Sequence, residues 1–329
     1  MTATRAQSVV ERAPAKIILI GEHAVVYGHP AIALPFPPLS ARGTAVPAEE
    51  GTAIRSDRYS GMVARLQDGY DIPAPLRPAA EAVRASLEAI ERAGGPVLPF
   101  DLFLESDIPP GSGLGSSAAI AVAAVRATFA FHGRKAPPAV LRLLATRAEA
   151  IAHGTSSGLD PTTVAADGPI RFVRDRAPID LNVVRPFGLV VADSGETAAT
   201  GEMVMRVKTR LEESPEAQTQ LARLGELAEQ AVWHLEHGEY AELGAGMDEA
   251  HLLLGALGVS TDRLDAIVTA ARNAGAYGAK LSGAGGGGCA VALVPIERLM
   301  PVAEAMRAAG ATQAWPTQYL IESDTHESH

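Results

Sequence analysis

Residues 107–122 read DIPPGSGLGSSAAIAV, and this stretch limits what the chain can fold into more tightly than any other. Glycines alternate at 111, 113 and 115, two serines follow, and a run of small apolar residues begins. Alternating glycines let the backbone take φ values closed to other residues and leave its N–H groups exposed. The run from Ser116, SSAAIAVAAVRATFAFHG, predicts a helix with serine caps at its start and Gly133 at its end. Ahead of the loop, FDLFLESDIPP places Phe100, Leu102 and Leu104 on one face, a strand ended by Pro109 and Pro110. The order is therefore strand, glycine loop, helix. A helix start carries unpaired N–H groups and a partial positive charge, so such a loop can cradle a phosphate. An open turn closed by an ordinary serine cap reads these residues equally well.

Two other phosphate cradles are excluded. A P-loop needs a lysine directly after its last glycine, and no lysine follows a glycine anywhere in the chain. The dinucleotide fingerprint needs G-x-G-x-x-G and an acid about 20 residues on. Here the spacing is G-x-G-x-G, and the downstream region holds Arg134 and Lys135.

A chain of 329 residues is long for one core, so two domains are expected, residues 1–185 and 186–329. The second opens with the buried strand FGLVVADSG. Strands and helices around two glycine loops give an α/β or α+β chain. The net charge of −10, with no basic stripe, argues against nucleic acid as a partner. A single cysteine, Cys289, allows no internal disulfide and points to a reducing compartment. The opening MTATRAQSVVERAPAK lacks the apolar core of a secretory signal, and no stretch reads as a membrane span. A cytoplasmic protein is expected, with a frayed polar tail ESDTHESH.

Four further segments carry candidate chemistry. In APAKIILIGEHAVVYG, Lys16 precedes the apolar run Ile17 to Ile20, and Glu22 and His23 follow at a turn after Gly21. A lysine entering a core strand needs a partner or an exposed edge. The helical pattern PAVLRLLATRAEAIAHG carries Glu149 near its end. Glu149 reads either as a metal-holding acid or as a solvated helix residue. After the loop TSSGLD, Asp160 precedes Pro161, which suits the first position of another helix. Asp160 reads either as a base or as that helix's N-cap. The match of residues 154–158 to G-x-S-x-G is rejected, because its serine follows a helix and not a strand. Residues 215–258 are helical in pattern, and KLSGAGGGGCAVALV is a second glycine loop running into a strand. His234 and His237 have metal-ligand spacing but no third ligand nearby.

APAKIILIGEHAVVYGHPAIALP, PPGSGLGSSAAIAV, HGTSSGLDPTT and KLSGAGGGGCAVAL occur here in this order. Together they resemble the GHMP kinase superfamily, over about residues 12–294, and within it the mevalonate-phosphorylating members. The resemblance implies an α+β two-domain fold. Its N-terminal domain is ribosomal protein S5-like with a left-handed βαβ crossover, and its C-terminal domain is ferredoxin-like. It implies transfer of the γ-phosphoryl group of ATP to the C5 hydroxyl of mevalonate, with Mg²⁺, in a homodimer. Gly111, Ser112, Gly113, Leu114, Gly115, Ser116 and Ser117 cradle the triphosphate in this reading. Ser117, with Ser116 beside it, and Glu149 hold Mg²⁺. Asp160 takes the hydroxyl proton, Lys16 contacts both Asp160 and the phosphoryl group, and Glu22 and His23 lie near mevalonate. Gly283, Gly285 and Gly286 belong to the closing third motif. Kinases for phosphomevalonate, homoserine or sugars share the middle loop, and mevalonate diphosphate decarboxylases share the fold. Two departures stand out: APAK replaces the family's usual APGK, and Glu249 stands where a neutral amide is common. Residues 40–75 are too irregular to assign.

Overall fold

The computed structural model describes residues 7–67, 69–153, 157–197 and 199–319. The tail segment ESDTHESH and residues 154–156 of the rejected G-x-S-x-G match lie outside the described residues. Two compact units interleave along the chain. One comprises Met1–Lys16, Pro35–Pro109 and Gly115–Asp167, the other Ile17–Leu34, Pro110–Leu114 and Gly168–His329.

The elements begin with β1 (Val9–Ile20), β2 (Ala31–Pro47), β3 (Ala53–Ser56), β4 (Ala64–Arg65), α1 (Arg77–Arg92) and β5 (Phe100–Ser106). Then come α2 (Ser116–Phe131), α3 (Pro138–His153), α4 (Leu159–Ala165), β6 (Ile170–Phe172) and β7 (Ile179–Asp180). The remainder is β8 (Phe187–Asp193), α5 (Thr200–Glu213), α6 (Pro215–His237), α7 (Tyr240–Ala256) and α8 (Asp262–Asn273). It ends with β9 (Gly278–Ser282), β10 (Cys289–Val294), α9 (Leu299–Ala308) and β11 (Gln313–Tyr319). The expected strand at 100–106 and the helices from Ser116 and Pro138 form as the sequence predicts. The unassigned stretch 40–75 holds the end of β2 and the short β3 and β4.

In the first unit the strands run β4-β3-β5-β2. β3 is parallel to β5, joined through α1, while residues 41–47 of β2 pair antiparallel with β5. α1, α2, α3 and α4 pack on one another, and α2 also lies on β5. α2 is apolar on nearly every side, so it sits inside the unit and not on its surface. Its alanines permit close approach: a Cβ on Gly43 of β2 would lie 3.0 Å from the Ala123 carbonyl.

Two expected caps are corrected. The cap of α2 is Gly115, at φ 72°, which has no side chain to offer; Ser116 and Ser117 are the first two helical residues. The cap of α4 is Gly158, at φ 79°, so Asp160 lies inside the first turn and Pro161 is third in the helix, not first. Both helices enter from a left-handed residue, a conformation that favours glycine over serine or aspartate.

In the second unit β8, β9, β10 and β11 form an antiparallel sheet in the order β11-β8-β10-β9. Numbered within the sheet this is 4-1-3-2, with α5 to α8 before β9 and α9 before β11, the ferredoxin-like βαββαβ arrangement. α8 and α9 cover the sheet. Residues 31–33 of β2 pair with β6, and β6 with β7. α7 lies directly on the edge strand β9. A Cβ on Gly244 would fall 2.3 Å from the Tyr277 backbone, and one on Gly278 would fall 2.0 Å from the Gly244 carbonyl.

This contact makes opposite predictions for two glycines of one helix. Gly244→Ala lowers the unfolding free energy by roughly 1–3 kcal/mol, because backbone cannot yield as a flexible side chain can. Gly246→Ala, whose Cβ meets nothing nearer than 3.8 Å, is neutral or stabilises by up to about 1 kcal/mol. Urea denaturation of the two variants checks the pair.

Candidate active site

Lys16 is the last residue of the first unit's opening segment, and it is buried at 3% exposure. The strand-edge alternative is overturned: its Nζ lies 2.9 Å from Oδ1 of Asp160, which is the charge partner that burial requires. Asp160 is open at 36%, so the pair has one enclosed and one accessible member. The lysine stem passes over the end of the glycine loop. A Cβ on Gly115 would lie 2.7 Å from Lys16 Cγ, which explains the glycine at this cap. Ala15, where the family usually has glycine, is buried within β1 and has no positive φ, so alanine fits without strain.

All three loop glycines are left-handed, with φ of 73°, 77° and 72° at 111, 113 and 115. Alternation of hand along a loop turns successive N–H groups to one side and forms an anion-binding concavity. Two buried polar side chains stand at α2 and α3. Ser116 Oγ is buried and has no hydrogen-bond partner among the described residues. Glu149 is 6% exposed, so the solvated-helix alternative is overturned. An orphaned hydroxyl at a helix start and an enclosed carboxylate fit a phosphate with its divalent cation.

In the second unit Pro110–Leu114 lies against the third glycine segment. A Cβ on Gly113 would meet the Ser282 carbonyl at 3.4 Å, and one on Gly288 would meet the Ser112 carbonyl at 2.9 Å. Ser112 and Leu114 are buried. Gly285 is packed on Val259, with 2.1 Å from its would-be Cβ to that carbonyl. Glu22 and His23 are buried at 1% and 5%. His23 Nε2 donates to the Ala284 carbonyl at 2.8 Å. Burial holds its pKa below the ordinary histidine value, the charge of Lys280 adds to this, and the Ala284 bond acts in the opposite sense.

Sequence reasoning missed Lys280. It is wholly enclosed in β9, and its Nζ pairs with the Glu22 carboxylate. The available signal was a charged residue at the centre of the otherwise buried strand GAKLS. Also missed were the side chains that finish this edge strand. Asp248 Oδ1 accepts from the Ala279 N–H at 2.8 Å, and Arg272 Nη2 donates to the Ala279 carbonyl at 2.8 Å. His251 Nδ1 accepts from the Leu281 N–H at 3.3 Å, while its Nε2 donates to Asp265 at 3.0 Å. Side chains thus occupy the positions a further strand would fill. Glu249, the second departure, is engaged elsewhere: Arg223 grips it through two bonds of 2.7 and 2.9 Å. His234 bonds Glu239, and His237 bonds the Trp233 carbonyl and stacks on its ring.

Burial lowers the His251 pKa from 6.5 to about 4, with nearby Arg272 and Lys280 adding to the shift and Asp265 opposing it. From pH 6.5 down to about 4 the unfolded chain gains a proton here that the folded chain refuses. Stability is therefore level at this group above the window and falls as pH drops through it, by roughly 3 kcal/mol in all. Urea unfolding at about pH 7, 6 and 5 reads the slope, and His251→Gln, which keeps an acceptor for Leu281, flattens it.

The GHMP kinases N terminal domain model matches residues 79–168, and the GHMP kinases C terminal model matches 231–318. Mevalonate kinase of Thermococcus gammatolerans is 39% identical over 92% of this chain and 94% of its own. Mevalonate kinase of Pyrococcus horikoshii is 37% identical over 92% and 93%. A crystal structure of L. major mevalonate kinase in complex with R-mevalonate superposes with a TM-score of 0.79 at 26% identity, covering 96% of this chain and 97% of that one. The chain belongs to the GHMP kinase family. Within it, these relatives in sequence are mevalonate kinases.

Proposed function

We propose that this protein transfers the γ-phosphoryl group of ATP to the C5 hydroxyl of mevalonate, giving 5-phosphomevalonate and ADP. The observation that best supports this is the enclosed Lys16, which touches the open carboxylate of Asp160 and lies along Gly115 at the end of the loop. A cation fixed beside both a carboxylate and a phosphate loop suits a group in flight between acceptor and nucleotide. The acceptor oxygen bonds to the γ-phosphorus as the bond to the β–γ bridging oxygen breaks, and ADP leaves. The transition state is loose, so the hydroxyl need not be deprotonated first, and Asp160 receives its proton late. Lys16 offsets charge on the migrating group and orients Asp160. The loop from Gly111 to Ser117 holds the triphosphate through backbone N–H groups, and Glu22 and His23 serve mevalonate. Ser117, with Ser116, and Glu149 are the residues that would hold Mg²⁺. When bound, that ion offsets charge on the β- and γ-phosphates.

The single cysteine suits a cytoplasmic enzyme, and the family resemblance suggests a homodimer. Among the described residues no helix is long and apolar enough to cross a membrane.

ADP release in the presence of Mg²⁺ tests the reaction against mevalonate, phosphomevalonate, diphosphomevalonate, homoserine and galactose, with the product position fixed by NMR. Turnover confined to mevalonate is expected; turnover with another acceptor instead overturns the substrate. Asp160→Asn and Lys16→Met each lower kcat by about 100-fold or more while ATP binding persists. Near-normal turnover in either refutes its assigned role. Glu149→Gln raises the Mg²⁺ concentration needed for half-maximal rate, and an unchanged titration removes Glu149 from the metal site.

A further inference from the structure

Lys280 bears a charge in a position with no solvent exposure, and phosphoryl transfer as described makes no use of it. Its Nζ donates to the Glu22 carboxylate and, at 2.5 Å, to the Leu281 carbonyl. An apolar pair of the same shape is commonly as stable as a buried ion pair, so stability alone does not account for it. What the pair holds is more informative.

Glu22 opens a three-residue γ-turn. The Ala24 N–H returns to the Glu22 carbonyl at 2.6 Å, and His23 at its centre has φ 57° and ψ −46°. A γ-turn of this hand is rare and strained for a residue with a side chain, and persists only where its surroundings determine it repeatedly. They do so here. Gly21, just before it, has no room for a Cβ, which would lie 2.5 Å from the Pro30 carbonyl. On the facing segment the attachments alternate. Ser282 Oγ accepts from the Ile18 N–H and donates to the Ile18 carbonyl, at 3.1 and 3.0 Å. Lys280 takes Glu22, and the Ala284 carbonyl takes His23. Lys280 is in turn fixed on both sides, by Asp248 at Ala279 and His251 at Leu281. Of these attachments, the ion pair is the one that grips the turn by a charged side chain.

We propose that Lys280 is a positioning residue for the phosphoryl acceptor: its ion pair with Glu22 holds the Glu22–His23 turn in the conformation that receives mevalonate. The role in acceptor binding rests on the function proposed above; the hold on the turn does not. It acts through Glu22, since an enclosed ammonium group cannot touch the substrate.

Lys280→Met removes the grip, and Lys280→Gln keeps a shorter, neutral donor. The expected order of KM for mevalonate is wild type, then Gln, then Met, with Met raised at least about tenfold, the scale of one lost charge-assisted hydrogen bond. KM for ATP and kcat stay within about threefold. ¹⁵N-histidine NMR, with His23→Asn to assign the signal, reads the turn directly. In wild type the His23 ring holds one tautomer, with Nε2 protonated towards Ala284, and in Lys280→Met that signature is lost. An unchanged mevalonate KM, or KM for ATP and kcat moving together with thermal stability, overturns the positioning role. An unmoved His23 signal overturns the hold on the turn. Failure of both variants to fold also overturns the proposal, because the pair would then serve folding and not the acceptor. Absence of wild-type turnover with mevalonate falls on the proposed function, while the NMR result stands by itself.

Discussion

A lysine ammonium group cannot leave water without an opposite charge beside it, and this constraint shapes both units of the protein. Lys16 and Lys280 are each nearly or wholly enclosed, and each has a carboxylate partner on its Nζ, Asp160 and Glu22 respectively. The pairs differ in the exposure of the acid. Asp160 is open at 36%, so one member of that pair stays accessible from outside it. Glu22 is 1% exposed and Lys280 wholly buried, so that pair is fixed once the unit has folded. An enclosed cation beside an accessible anion suits chemistry, whereas an enclosed pair suits the holding of geometry.

Gly115 follows from the same crowding, because the stem of Lys16 occupies the volume of its side chain. At Gly113 there is room for a Cβ, and the left-handed φ of 77° is what favours glycine. The absence of a Cβ at Gly115 thus makes room for the protein's own lysine stem. This also explains why Ser116 and Ser117 are not caps. With the cap position given to a left-handed glycine, the serines move inside the helix, where the Ser116 hydroxyl has no hydrogen-bond partner among the described residues.

Much of the scaffold was legible because its signals are local. The alternation of Phe100, Leu102 and Leu104, the alanine-rich run after Ser116 and the turn at Gly21 depend on neighbours along the chain, and each appears where its pattern put it. The burial of Lys16 and Glu149 was not legible in that way. An exposed edge for the one and a solvated face for the other are sound readings of a single residue; only a partner distant in sequence or an enclosing fold reverses them. The order of four motifs identified Lys16 and Asp160 as a pair where their individual patterns did not. Lys280 escaped for a related reason. It stands inside one of those motifs, but its carboxylate partner lies in another, and nothing in the strand GAKLS names Glu22.

The edge of the second sheet shows how far such remote partners determine the site. β9 has β10 on one side and, on the other, the side chains of Asp248, His251 and Arg272. A strand in that place would offer a uniform ladder and could slip by two residues without reversing its faces. Side chains of different length and charge cannot do so: a carboxylate meets the Ala279 N–H, a guanidinium its carbonyl, and a neutral imidazole the Leu281 N–H. Register is therefore set residue by residue around Lys280. The neutral state of His251 is part of that specification, since a protonated ring would have no lone pair for Leu281. Burial, by opposing protonation, keeps the acceptor available, so the same desolvation that makes Lys280 demand a partner also holds its strand in register.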